Sequence, residues 1–182
     1  MKASLDLWNS LCLRHGGLGH AVIHEAGHAV VAVKHGIEFV DVSINPDPTL
    51  HPNEVGAFTG GGVRLESVDH LRAAVAADPV GSLRFCLAGA LAERAAFEHT
   101  LKDSYRADLN SWRVCAGLRD AQTEESLEAA LGMPFATVSR STMIEVRQLG
   151  PAVTAVARAL GDRPTLRLSL ADVRGLVEAA GA

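Results

Sequence analysis

The sequence predicts a mainly α-helical fold with a small antiparallel β-sheet (α+β). Three observations carry that prediction. The chain is rich in Ala, Leu, Val and Arg and only 4% aromatic, a mix that favours helix over strand. From Ser67 onward its apolar residues recur at helical spacing. One window, residues 38–65, alternates as strands do and holds glycines and three of the seven prolines.

Taken in order, residues 1–13 spell a short amphipathic helix through Leu5, Trp8 and Leu11, ended by "HGGLG". A longer helix runs from His20 to Gly36: glycine commonly follows a helix, and Lys34 and His35 suit its negative end. "EFVDVSI" (38–44) alternates as a strand. "NPDPTLHPNE" (45–54) is a proline-bearing loop, and "VGAFTGGGVRL" (55–65) is one or two short strands weakened by glycine. Links this short allow only antiparallel pairing, in two or three strands.

Ser67 caps a helix reaching Ala77, and Asp78-Pro79 opens the next, which keeps Leu83, Leu87, Leu91 and Phe97 at helical spacing. "LKDSYRADL" (101–109) is a polar break before a helix with Leu109, Trp112, Cys115 and Leu118. Thr123 caps a short helix ending at Gly132. A long helical stretch, 135–160, is interrupted at Gly150-Pro151. Ser169 and Asp172 stand in capping-box spacing at the head of the last helix.

At 182 residues the chain is about one domain, 1–182, able to build a core without a structural metal. A net charge of −4 without a basic stripe argues against nucleic acid as a partner. Cys12, Cys86 and Cys115 are odd in number, scattered and outside any CxxC spacing, which suits free thiols in a reducing compartment. The N-terminus lacks the continuous apolar core of a signal peptide, and no apolar run of about 18 residues exists to span a membrane. The expected location is the cytoplasm, with no membrane partner.

The segment that carries chemistry is "HAVIHEAGHAVVA" (20–32). In a helix, His24 and His28 lie one turn apart on one face, so both imidazoles can reach a single metal ion. Glu25 lies beside that ion without ligating it, placed to take a proton from water and return it to a leaving amine. Composition alone yields HExxH in about 2% of such chains, so context must decide. A helix needing only packing would not bury two histidines and a glutamate. Ala26 and Gly27 are small enough to admit a close neighbour, although Gly costs about 1 kcal/mol in a helix. The third ligand stays open at this level.

Several further segments carry a resemblance: "HEAGHAVVA", then "VSINP", "VGAFT", "LAGALAERAAFE" and "ADL" at 107–109. In that order they resemble the zinc peptidase domain of FtsH-type AAA+ proteases, over residues 19–182, with 1–18 as an N-terminal extension. The closing "VTAVARALGDRPTLRLSLADVRGLVEAA" is similar to that family's last helices. The resemblance implies a zincin-like HExxH helix packed in a helical bundle, zinc bound by His24, His28 and Asp108, and Glu25 as catalytic base. Glu93 would orient a ligand from behind; Glu93, His51, His99 and water are the rivals to Asp108.

The chain also departs from the family pattern. The small Gly-Ala pair ahead of the ligand aspartate is replaced by "SYRA" (104–107), and these 182 residues contain no P-loop and no ATPase module. The implied activity is therefore a zinc endopeptidase cutting flexible or unfolded polypeptides without its own ATPase, alone or docked to a separate unfoldase. Self-association into a homo-oligomer is also implied. An alternative is a catalytically silent zinc-containing interaction domain.

Outside the motif, His15, His20, His35 and His70 read as surface or locally bonded histidines. Tyr105 and Trp112 read as core or shelf residues, Arg84, Arg94, Arg113 and Arg119 as solvated helix faces, and Cys86 and Cys115 as packing.

Overall fold

A 17-residue helix, α1 (Leu18–Lys34), is the central element of the fold. Every position from Val22 to Ala32 is buried, as a helix enclosed on all sides requires. Val22, Ile23, Val30 and Val31 are fully inaccessible, and burial of each contributes about 1.5–3 kcal/mol. The helix ends in a Schellman motif: Gly36, at φ +67°, donates to the Val33 carbonyl at 3.2 Å, and Ile37 donates to Ala32 at 2.9 Å. Ile37, just beyond, turns into the core.

The computed structural model describes residues 18–46, 58–98, 105–118 and 123–182. The helix expected over 1–13, most of the proline-bearing loop and His51 and His99 lie outside them.

Strands β1 (Asp41–Pro46), β2 (Phe58–Arg64) and β3 (Arg167–Ser169) form one antiparallel sheet in the order β2-β1-β3. β1 starts three residues later than the alternation suggests, because Ile37 and Phe39 are drawn into the core by the end of α1. It also runs on through Asn45 and Pro46, and the pairing register slips between those two residues, where proline withdraws a donor. Asp41 is buried between Arg64, whose Nε donates to it at 3.0 Å, and Arg167 at 3.7 Å. Its neighbours across the ladders thus neutralise the one carboxylate in this part of the sheet.

Among the described residues seven more helices follow: α2 (Val68–Ala77), α3 (Pro79–Phe97), α4 (Arg106–Cys115), α5 (Glu124–Leu131), α6 (Phe135–Gln148), α7 (Gly150–Asp162) and α8 (Leu170–Ala179). Asp78 caps α3 by accepting from the Gly81 amide at 2.8 Å, with Pro79 in the first turn. Ser67 occupies the cap position of α2, but its hydroxyl makes no cap bond and stands 3.3 Å from His70 Nδ1 instead. The stretch 135–160 breaks at Leu149, and α7 continues to Asp162.

The core joins α1 to α3 and α7, with β1 and β2 laid against another side of α1. At Gly27 the two helices nearly touch: a Cβ there would stand 2.6 Å from Ala92 Cβ and 2.7 Å from the Ala88 carbonyl. The small pair within the motif therefore lets α3 press directly on α1. Among the described residues no helix is long and apolar enough to cross a membrane.

Candidate metal centre

Helix α1 presents His24 and His28 to α3 one turn apart, and their Nε2 atoms converge to 2.9 Å. Asp108, in the first turn of α4, brings Oδ2 to 3.4 Å from each Nε2. His24 and His28 are buried and Asp108 half-buried. Among the described residues these three form the one group with metal-ligand spacing, and they can hold a metal ion.

Both rings are fixed from behind. His28 Nδ1 donates to the Phe85 carbonyl at 2.7 Å, and a carbonyl can only accept, so a hydrogen lies on Nδ1 and Nε2 is the nitrogen turned toward His24. His24 Nδ1 donates to Glu93 Oε1 at 2.7 Å. A carboxylate behind a ligand histidine sets its tautomer and raises its basicity. Two lone pairs facing each other across 2.9 Å repel unless a proton or a cation lies between them.

The charges agree with that geometry. Burial works to lower the His24 pKa, but the carboxylates of Asp108, Glu93 and Glu25 outweigh it and hold the imidazolium up to about 10. Asp108 shows the converse: burial pushes its carboxyl up, yet the two histidines hold it well below the usual carboxylate range. Its Oδ2 makes no hydrogen bond although buried, an unusual cost for a charged oxygen. Donors around a tetrahedral cation with bonds of about 2.0–2.1 Å stand about 3.3 Å apart, close to the spacing of Asp108 from each histidine. The Nε2 pair is tighter, at 2.9 Å. An orphaned carboxylate oxygen aimed at two imidazole nitrogens fits a cation site.

Glu25 stands beside this group and outside it. Burial raises its pKa, against the lowering pull of His28 and His24. Its side chain lies against Gly61 of β2: a Cβ at Gly61 would come within 2.6 Å of Glu25 Cγ and 2.8 Å of Oε1. Glu25, His28 and Asp108 line a cavity of about 180 Å³ whose other walls include Val63, Leu71 and Phe85. A larger cavity, about 300 Å³, lies beside the end of α1 near His35, His70 and Asp78, away from the converging donors.

Glu93 meets His24 Nδ1 and also His20 Nδ1, at 3.6 Å, and not the converging nitrogens. His20 packs its ring on Phe97. No family model, curated protein or solved structure matches this chain.

Several sequence expectations are corrected here. Arg84 is no solvated charge: it donates to Glu145 at 2.9 Å and to Ser141 at 3.1 Å, in a half-buried cluster that His35 joins at 3.0 Å. Arg113 is half-buried, whereas Arg94 is exposed. Trp112 is core, with Nε1 donating to Ser82 Oγ at 3.0 Å, but Tyr105 is exposed. Cys86 is buried in the cavity wall, and burial raises its thiol pKa. Cys12, His15 and Arg119 lie outside the described residues. The Phe85 carbonyl, Gly61 and Gly89 escaped sequence reasoning. A backbone acceptor leaves no side-chain signal, and only the cost of glycine inside a helix marked Gly89.

Proposed function

We propose that this chain is a zinc-dependent endopeptidase acting on flexible or unfolded polypeptides. The observation that carries the proposal is the convergence of His24 Nε2, His28 Nε2 and Asp108 Oδ2 beside a buried glutamate and a sheet edge. Two imidazoles and one carboxylate are the donor set of catalytic zinc sites that leave a position open. The resemblance of the sequence to FtsH-type peptidase domains supports the same assignment.

His24, His28 and Asp108 would hold the zinc, which would supply a Lewis acid able to acidify water and polarise a peptide carbonyl. Glu25 does the proton work. Buried beside the converging donors, its carboxylate can accept a proton from water and, once protonated, deliver it to the departing amine nitrogen. Glu93 and the Phe85 carbonyl hold the two imidazoles in the tautomer that binding needs.

Among the described residues β2 is an edge strand, and it runs past Glu25 at Gly61. A polypeptide laid along its open side would gain main-chain hydrogen bonds with little side-chain selectivity, which suits extended chains and excludes folded ones. A separate unfoldase would be needed for folded targets. Assembly into a homo-oligomer belongs to the same family-based proposal.

The test is cleavage of denatured casein without ATP by the zinc-loaded chain and by Glu25→Gln. Cleavage by the first and not the second supports the proposal; equal cleavage by both overturns it. Zinc binding without cleavage by either would favour the silent interaction domain.

A further inference from the structure

We propose that Gly89 is a positioning residue that keeps open the space in which the two histidine nitrogens converge on a metal. The inference rests on the metal-site reading above and extends it to a residue that touches neither substrate nor metal.

One stripe of α3 backs the motif helix. Phe85, Gly89 and Glu93 are spaced four residues apart, so they stack on one face, and they face His24 and His28, which share that spacing. The outer members are anchors: the Phe85 carbonyl receives His28 Nδ1 and the Glu93 carboxylate receives His24 Nδ1, each at 2.7 Å. The middle member is empty. A Cβ at Gly89 would lie 2.5 Å from His24 Nε2, 2.6 Å from His24 Cδ2, and closer still to His28 Nε2. Real Cβ atoms do not approach ring nitrogens so closely, so one methyl group would occupy the ground where the donors meet.

The rings cannot step aside without loss. Turning either one breaks its Nδ1 bond, and moving α3 away undoes the seat of Gly27 on Ala88 and Ala92. Because the obstructing atoms are side-chain ends and not backbone, the fold can tolerate the methyl group by rotating the imidazoles. The convergence cannot. Gly89 also sits in mid-helix, where Ala would be the better helix former, so its presence is unexplained by local stability.

The experiment compares the full chain with Gly89→Ala, reading zinc affinity by chelator competition, the visible spectrum of the cobalt-substituted protein, and far-UV circular dichroism. The expected result is zinc affinity weakened at least about tenfold, the range seen when groups behind metal ligands are lost, with an altered cobalt spectrum and retained helicity. Wild-type affinity and spectrum in the variant would overturn the proposal. The same substitution is made in a His24→Ala/His28→Ala/Glu93→Leu background, where the obstruction is gone and no buried carboxylate has lost its His24 partner. There it should leave Tm unchanged or raise it, and should fold even if the single variant does not. An equal loss of stability in both backgrounds would make Gly89 a packing residue only and overturn the proposal. A wild-type chain that binds no zinc would overturn the metal reading and this inference together. Zinc binding without peptidase activity would sink the enzymatic proposal alone, since none of these readouts needs turnover.

Discussion

Glu93 Oε1 stands 2.7 Å from His24 Nδ1, and at 1% exposure the glutamate is among the most deeply buried side chains of the described fold. A carboxylate is placed there at a cost of several kcal/mol unless it is paired, and the pairing fixes which His24 nitrogen faces the metal position. Glu93→Ala should therefore weaken zinc binding about 10- to 100-fold. Glu93→Gln, whose carbonyl can still accept from Nδ1, should fall between that variant and wild type. Chelator-competition titrations of the three proteins check the order; equal affinities would show that His24 needs no support from behind.

Metal binding should release protons. Free His24 carries its proton up to about pH 10, above its ordinary value near 6.5, so its stabilising contribution is fully present below about pH 6.5 and is lost as pH rises through about 10. The metal-free protein should consequently lose Tm across that interval, as the charge facing Asp108 disappears. Zinc must displace the same proton, so near pH 7.5 binding should release about one proton from His24, and apparent affinity should climb about tenfold per pH unit below 10. Calorimetry in buffers of differing ionisation enthalpy counts the proton directly. No release would mean that His24 is neutral in the free protein.

How much of this was legible in the sequence varies with how local each feature is. The end of α1, the Asp78-Pro79 start of α3 and the Ser169 cap are written within a few neighbouring residues, and each can be read there. β3 could not be: three residues show no period, and the strand exists because β1 offers an edge opposite Leu168. His24 and His28 follow from four-residue spacing alone, whereas Asp108 could be placed only through the resemblance, being 80 positions beyond His28. The Arg84–Glu145–His35 cluster spans separations of 61 and 110 residues, and helical spacing could suggest only that Arg84 faced water.

The capping box at the head of α8 gives a stability test that involves none of His24, His28 and Asp108. Ser169 Oγ accepts from the Asp172 amide at 3.2 Å, and Asp172 Oδ2 accepts from the Ser169 amide at 2.9 Å. Ser169→Ala should cost about 0.5–2 kcal/mol, seen as a lower Tm at neutral pH. The Ser169 hydroxyl and amide hold the Asp172 carboxyl below its usual pKa. Its contribution is therefore present above the ordinary aspartate pKa and lost as pH falls through the depressed value, so the gap between wild type and variant should narrow in acid. Both proteins should bind zinc equally.

Gly61→Ala should separate metal binding from turnover. Gly61 pairs with Ile44 in the β1–β2 ladder, which fixes its backbone, and a Cβ added there would stand 2.6 Å from Glu25 Cγ. The side chain of Glu25 must then yield. Since the displaced atoms belong to a movable side chain, Gly61→Ala should cost no more than the about 1–3 kcal/mol typical of overpacking. His24, His28 and Asp108 do not meet the new methyl group among its nearest contacts, so zinc affinity should stay within a few-fold of wild type. If Glu25 carries the proton, kcat should fall by at least about tenfold, because a base displaced by an ångström loses its reach to water. Zinc titration and peptide hydrolysis on one preparation decide the matter. Lost zinc would show that β2 shapes the ligand set as well, while unchanged kcat would remove Glu25 from the proton path and with it the main support for a peptidase.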